Sequence, residues 1–246
     1  MPLAPPAPAA TRRRPAPPAR PRDAWAADVT ALVPVGPGEA LWRGLLDDLA
    51  PLSRAGGAVV LCGADARPAD VPAGVTWVRA ARPNRAAQLN AAAAAARTDR
   101  VWCLHADSRL PPAAVRAAVD AATDPRVLHY LSLTFAGDGP ALTRLNGWGA
   151  NLRSRCGMPF GDQGFLLSAD LLADLGGFDE AAPYGEGHLL AWAARRRGVR
   201  LARLPAAVAT SARKYRRGGW GRTTAVHLFL TARQAVPQWW AWARGR

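Results

Sequence analysis

Arg100-Val-Trp-Cys-Leu-His-Ala-Asp-Ser-Arg-Leu-Pro-Pro112 decides how the chain reads. The apolar run Val101 to Leu104 has the length and composition of a buried strand. It stops at His105-Ala-Asp107-Ser108, and Pro111-Pro112 opens a helix. In an open α/β sheet, ligands bind beyond the carboxyl ends of the strands. A carboxylate there, with an imidazole two residues before it and a hydroxyl just after, suits a hard divalent cation that also touches substrate phosphates. The same Asp107 is also a natural cap for the helix that follows. This stretch alone leaves both readings open.

Working outward, the flanks repeat an alternation of strand and helix. Val29–Pro34 reads as the first strand, followed by a turn at Val35-Gly-Pro-Gly-Glu39. A helix over about Ala40–Leu52 places Leu41, Leu45, Leu46 and Leu49 on one face. Ala58–Cys62 and Gly74–Arg79 are further strands, and Ala86–Arg97 is nearly all Ala and therefore helical. After the central strand come a helix to about Ala122, a strand over Val127–Phe135 and a helix within 140–156. A turn and short strand follow at Phe160–Ser168, and then helices at Ala169–Leu175 and Glu186–Arg197. Val199–Leu204 reads as the last strand. The order predicts a single α/β domain with a mixed, mostly parallel sheet flanked by helices.

Charge divides the chain. Of the 246 residues, the first 22 hold five Arg and no acid, and residues 187–246 hold 13 Lys/Arg and no acid. Between them the balance is −4, although the net charge is +14. Cations gathered at the ends of a mildly acidic body fit an anionic surface or ligand, and no nucleic-acid partner is expected. The three cysteines, Cys62, Cys103 and Cys156, have no paired spacing, so neither a disulfide nor a zinc framework is expected. That usage fits a reducing cytoplasm.

Residues 1–24 are rich in Pro, Ala and Arg and read as a disordered tail, with the domain proper over 25–217. Residues 218–246 combine Trp with Arg, and their uncharged runs are about half the 20 residues that a membrane span needs. This helical tail has two readings: an interfacial helix on an anionic membrane, or a helix packed on its own domain.

Taken in order, these pieces resemble one family. The series is a strand closed by Pro34-x-x-x-x-Glu39, Asn84-Arg-Ala-Ala-Gln-Leu-Asn90, the His-Ala-Asp-Ser stretch, Ala-Asn-Leu-Arg-Ser-Arg155, Met158-Pro-Phe-Gly-Asp-Gln-Gly164, Leu-Gly-Gly-Phe-Asp179 and Thr210-Ser-Ala-Arg-Lys-Tyr-Arg-Arg-Gly218. Over about residues 28–235 the sequence resembles the family 2 glycosyltransferases of the GT-A (Rossmann-like) fold. It resembles in particular a short bacterial subgroup with His-Ala-Asp-Ser/Thr in place of Asp-x-Asp.

The resemblance implies a nucleotide-sugar donor, Mn2+ or Mg2+, and inverting transfer to an acceptor hydroxyl, small or lipid-linked, at the inner face of the cell membrane. It makes Asp107 the metal ligand, with His105 beside it. Arg85, Gln88 and Asn90 fall on its donor side, although Gln88 and Asn90 equally suit helix bracing. Gly161, Asp162 and Gln163 fall on its acceptor side. Arg213 and Lys214 fall in a mobile loop over the donor.

Two positions depart from the pattern. Cys62 stands where the family has an Asp that recognises the nucleobase, which leaves Asp65 as the candidate. Gly187 stands where the family has its general base, which leaves Glu186 and His188 as candidates. A degenerate transferase that binds donor with little turnover is the alternative reading.

Overall fold

The computed structural model describes residues 26–121 and 124–244; the tail expected over 1–24 lies outside the described residues. The strands are β1 (Val29–Val35), β2 (Ala58–Gly63), β3 (Thr76–Arg79), β4 (Arg100–Cys103), β5 (Ser108–Arg109), β6 (Val127–Phe135), β7 (Phe165–Ser168) and β8 (Arg200–Thr210). They form one sheet in the order β3-β2-β1-β4-β7-β6-β8-β5. β2, β1 and β4 run parallel, and so do β6 and β8, while β7 and β5 pair antiparallel with their neighbours.

Every residue of β1 is buried, as expected of a strand covered on both faces. The period-2 alternation sorts its side chains. Ala31, Val33 and Val35 join Leu45, Leu49, Ala114 and Val115 on one face, whereas Leu32 joins Leu89, Leu172 and Leu190 on the other. The first layer is built by α1 (Trp42–Arg54) and α3 (Pro112–Val119), the second by α2 (Arg85–Ala95), α5 (Ala169–Asp174) and α6 (Glu186–Arg196).

The buried stripe of α1 is Trp42, Leu45, Leu49 and Leu52. This corrects the expected face, because Leu41 precedes the first helical turn and is exposed. An ion pair is enclosed in the body. Arg100 donates to Asp28 at 2.9 Å and to the carbonyls of Val119 and Ala121 at the end of α3, at 3.1 and 3.0 Å.

Sequence periodicity predicted the last strand too short. β8 runs on to Thr210 with a register shift opposite Tyr130 and Ser132, next to Pro205, and it then holds β5 through Ser108↔Thr210 and Arg109↔Ala209. Three helices complete the chain: α4 (Thr143–Arg155), α7 (Arg213–Gly218) and α8 (Trp220–Arg244). α7 is helical where the resemblance implied a mobile loop.

The C-terminal helix packs on its own domain along one side. Trp220 donates to Asn146 at 2.7 Å, Gln234 donates to the Tyr184 carbonyl at 2.8 Å, and Trp242 meets Trp192 edge-on at 6.4 Å. Among the described residues, no helix is long and apolar enough to cross a membrane.

Candidate active site

The carboxyl ends of β1 and β4 meet the first residues of α2 and α6. Asn84 accepts from the Ala87 N–H at 2.9 Å and so caps α2, which fixes where Arg85 starts. Arg85 then donates to Glu186, the first residue of α6, at 3.1 Å. Asp107 lies in the turn between β4 and β5. The β5–β8 ladder carries the chain that follows Thr210 back over that turn, so that Arg213 comes within 3.8 Å of Asp107. Arg213 also pairs with both oxygens of Glu39, in the turn after β1. Asp138 holds the approach to α7 by accepting from the backbone N–H of Ala212 at 2.6 Å.

The charges in this cluster act on one another. Burial pushes the Asp107 carboxyl up and Glu39 adds to that, while Arg213, Lys214 and Arg85 pull it down without cancelling the rise. Burial also lifts Asp162; Arg153 opposes this and Asp107 reinforces it, so the two carboxylates feel each other across the cluster. Burial, with Arg85 and Lys214 nearby, holds His105 well below the usual imidazole range. His105 is therefore neutral, the form in which an imidazole can ligate a metal. Among the described residues, no group of three or more His, Cys, Asp or Glu gathers as a protein-only metal cage. One neutral imidazole and one desolvated carboxylate suit instead a cation that takes its remaining ligands from phosphate and water.

A single 3-10 turn (Gly161–Gln163) carries Asp162. Gln163 is fully buried and braces this turn, donating to the Leu131 carbonyl at 2.9 Å and accepting from the Phe160 N–H at 3.2 Å. Asp162 has a buried Oδ1 with no hydrogen-bond partner. Its cationic neighbour Arg153 lies over the Phe160 ring at 3.6 Å. Gly161 sits against His105 on one side and Gly187 on the other, with a Cβ on it 3.4 Å from His105 Nε2.

The remaining positions fall into three groups. Gln88 and Asn90 brace the scaffold: Gln88 donates to the Val35 carbonyl at 2.7 Å, and Asn90 pins the loop at Phe178 through two bonds of 2.9 Å. Asp65 is exposed just beyond β2, while the Cys62 thiol is buried and pushed up to about 11. His188 is turned into the core. It is fully buried, its Nε2 accepts from the Trp192 indole at 2.9 Å, and its ring packs on Phe160 at 4.4 Å. Glu39, marked in the sequence only by the strand-Pro-x-x-x-x-Glu piece of the resemblance and given no role there, also belongs to the cluster. It closes the Gly-Pro-Gly turn after β1, at the sheet edge where ligands bind.

No protein-family model matches the sequence, and no curated protein matches it. Solved structures do match. The mannosyltransferase PcManGT from Pyrobaculum calidifontis, in complex with GDP-Man and Mn2+, aligns at 20% identity and TM-score 0.56, over 74% of this chain and 56% of that one. S. aureus TarS 1–349 aligns at 14% identity and TM-score 0.58, over 75% of this chain and 60% of that one. Its UDP-GlcNAc complex gives 16% and 0.55, over 75% and 58%. The chain spans less than two thirds of the length of each of these structures. Likeness at these identities is likeness of fold, and the fold of this chain is the GT-A fold of those glycosyltransferases.

Proposed function

We propose that the chain moves a sugar from a nucleotide-sugar donor to an acceptor hydroxyl, with inversion and with Mn2+ or Mg2+ in the site. The observation that carries this reading is the convergence of Asp107 and His105 with the cations Arg85, Arg213 and Lys214 at the carboxyl edge of the sheet. Asp107 and His105 would hold the cation, which supplies positive charge to the departing diphosphate. Arg85, Arg213 and Lys214 bind and orient the same diphosphate oxygens, with Arg213 already steered by Glu39. Asp65, in the open at the end of β2, is the group left to meet the nucleobase.

In the transfer, the acceptor oxygen forms a bond to the anomeric carbon while the bond from that carbon to the diphosphate breaks. The hydroxyl proton then needs a base. Glu186 is engaged by Arg85, and His188 faces the core. Asp162 offers an unpartnered carboxylate oxygen on the acceptor side, and we assign the proton to it. The acceptor is a small or lipid-linked alcohol met at the inner face of the cell membrane.

The test is a thermal-shift panel of nucleoside diphosphates and nucleotide-sugars with Mn2+, with Mg2+ and with chelator. A metal-dependent rise in Tm with one nucleotide class, lost in Asp107→Ala, is the expected result. No rise with any donor overturns the reading. Gly187 favours one second reading, a protein that binds donor with little turnover; a donor-induced rise with no sugar transfer to any alcohol selects it.

A further inference from the structure

The side of α8 turned away from the domain has a pattern of its own. Gln234, Gln238 and Trp242 mark the inner side, through Tyr184, Arg196 and Trp192. On the outer side stand Phe229, Val236 and Trp240, exposed by 64%, 52% and 52%. Arg222, Arg233 and Arg244 are spaced eleven residues apart, about three helical turns, so they fall on this same outer face. The 25-residue helix contains no acid.

A second apolar stripe lies on α4, which also lacks acids. Leu145, Trp148 and Leu152 follow i, i+3, i+7 spacing and are 57%, 68% and 47% exposed. Asn146 ties the two helices together, accepting from Trp220 and donating to Thr224 at 3.1 Å, and the α4 stripe lies about 100–160° round the helix from it, apart from the outer face of α8.

Side chains this large, left open along one face of α8 among arginines, mark an interaction surface. Charge identifies the partner. An isologous contact with a second copy would set Arg222, Arg233 and Arg244 against the same arginines, with no acid on either helix to answer them. A bilayer with anionic head groups answers both features, taking the Trp and Phe side chains below the head groups and pairing the arginines with phosphate.

We propose that the outer face of α8 seats this protein on an anionic membrane. The seat adjoins the candidate site, since His227 of α8 contacts Tyr215 of α7 at 3.1 Å, and α7 begins with Arg213. This deepens the membrane-face reading of the proposed function and rests on it for the location of the acceptor only. Vesicle binding itself requires no transfer.

The experiment is co-sedimentation of the full chain with vesicles of phosphatidylcholine alone and of phosphatidylcholine with phosphatidylglycerol. The wild-type protein should partition to the anionic vesicles and be released by molar salt. Arg222→Gln/Arg233→Gln/Arg244→Gln should weaken partitioning on the order of a hundredfold, at about fivefold per arginine. Phe229→Ser/Trp240→Ser should weaken it with Tm unchanged.

Equal partitioning to both vesicle types, or none, overturns the proposal. So does a dimer in sedimentation velocity that Phe229→Ser/Trp240→Ser dissolves, because the face would then belong to a second copy. The donor-induced Tm shift is read in parallel without vesicles, so failure of the seat and failure of the transferase reading are separate results.

Discussion

Gly187 and Gly161 meet backbone to backbone: a Cβ on Gly187 would lie 2.7 Å from the Gly161 Cα and 2.8 Å from its N. The start of α6 and the turn that carries Asp162 are thus packed too closely for any side chain between them. Restoring an acid by Gly187→Asp should therefore not restore a base. It should push the Gly161–Gln163 turn away and destabilise the fold by roughly 1–3 kcal/mol, as overpacking does. Gly187→Ala should show most of the same loss. Urea denaturation of both variants checks this, and an Asp variant as stable as wild type would refute it.

If Asp162 accepts the proton, Asp162→Asn should lower kcat by roughly 10²–10⁴ while leaving the metal-dependent donor shift in Tm intact. Glu186→Gln, which removes the partner of Arg85, should act mainly on donor KM. A kcat collapse in Glu186→Gln with Asp162→Asn near wild type would reverse the assignment.

His188 makes stability depend on pH. Burial, reinforced by Arg153, lowers it from 6.5 to about 4. Above pH 6.5 the imidazole is neutral in both folded and unfolded chains, and its environment is fully compatible with folding. As pH falls from 6.5 to 4 the unfolded chain takes up a proton that the folded one resists, so stability is lost across that window. The loss attributable to this group should approach about 3 kcal/mol. His188→Gln should flatten the wild-type slope of unfolding free energy over the same window, and parallel slopes would count against it.

Arg100 and Asp28 are enclosed together, with side-chain exposures of 9% and 7%. Arg100→Met leaves Asp28 without this cation and the end of α3 without its donor, and should cost about 3–5 kcal/mol in chemical denaturation. Arg100→Met/Asp28→Leu should recover part of that loss. A single variant within about 1 kcal/mol of wild type would show that water replaces the guanidinium there.

Local pattern carried most of the fold. Continuous apolar runs fixed β1, β2 and β4, alanine fixed α2, and β6 was predicted to the residue. What escaped was set by distant partners. β5 is two residues long and exists because Ala209 and Thr210 lie beside it, and the second half of β8 follows a bulge that no period-2 pattern continues through. In the site, Asp107 and His105 stood out by type and position, whereas Arg85 and Arg213 were marked only by the resemblance. The inward turn of His188 did not, because it depends on Trp192 one helical turn later and on Phe160 from another segment. Glu39 was marked by the Pro34-x-x-x-x-Glu39 piece, but its pairing with Arg213, 174 residues away, was not legible.

The short β5–β8 ladder has a consequence for how this chain can change. Asp107 directly precedes Ser108, and Arg213 follows Thr210 by three residues, with Ser108 and Thr210 paired. The acid and the guanidinium are therefore indexed to one shared rung. Lengthening the chain before the bulge near Pro205 can be taken up there without moving that rung. An insertion of a single residue between Val208 and Arg213 has no such slack, and would slide the cation past the carboxylate with the sheet otherwise intact. Tolerance to insertions should fall from high to nil within a few residues of β8, a boundary drawn by hydrogen-bond register and not by distance from the site.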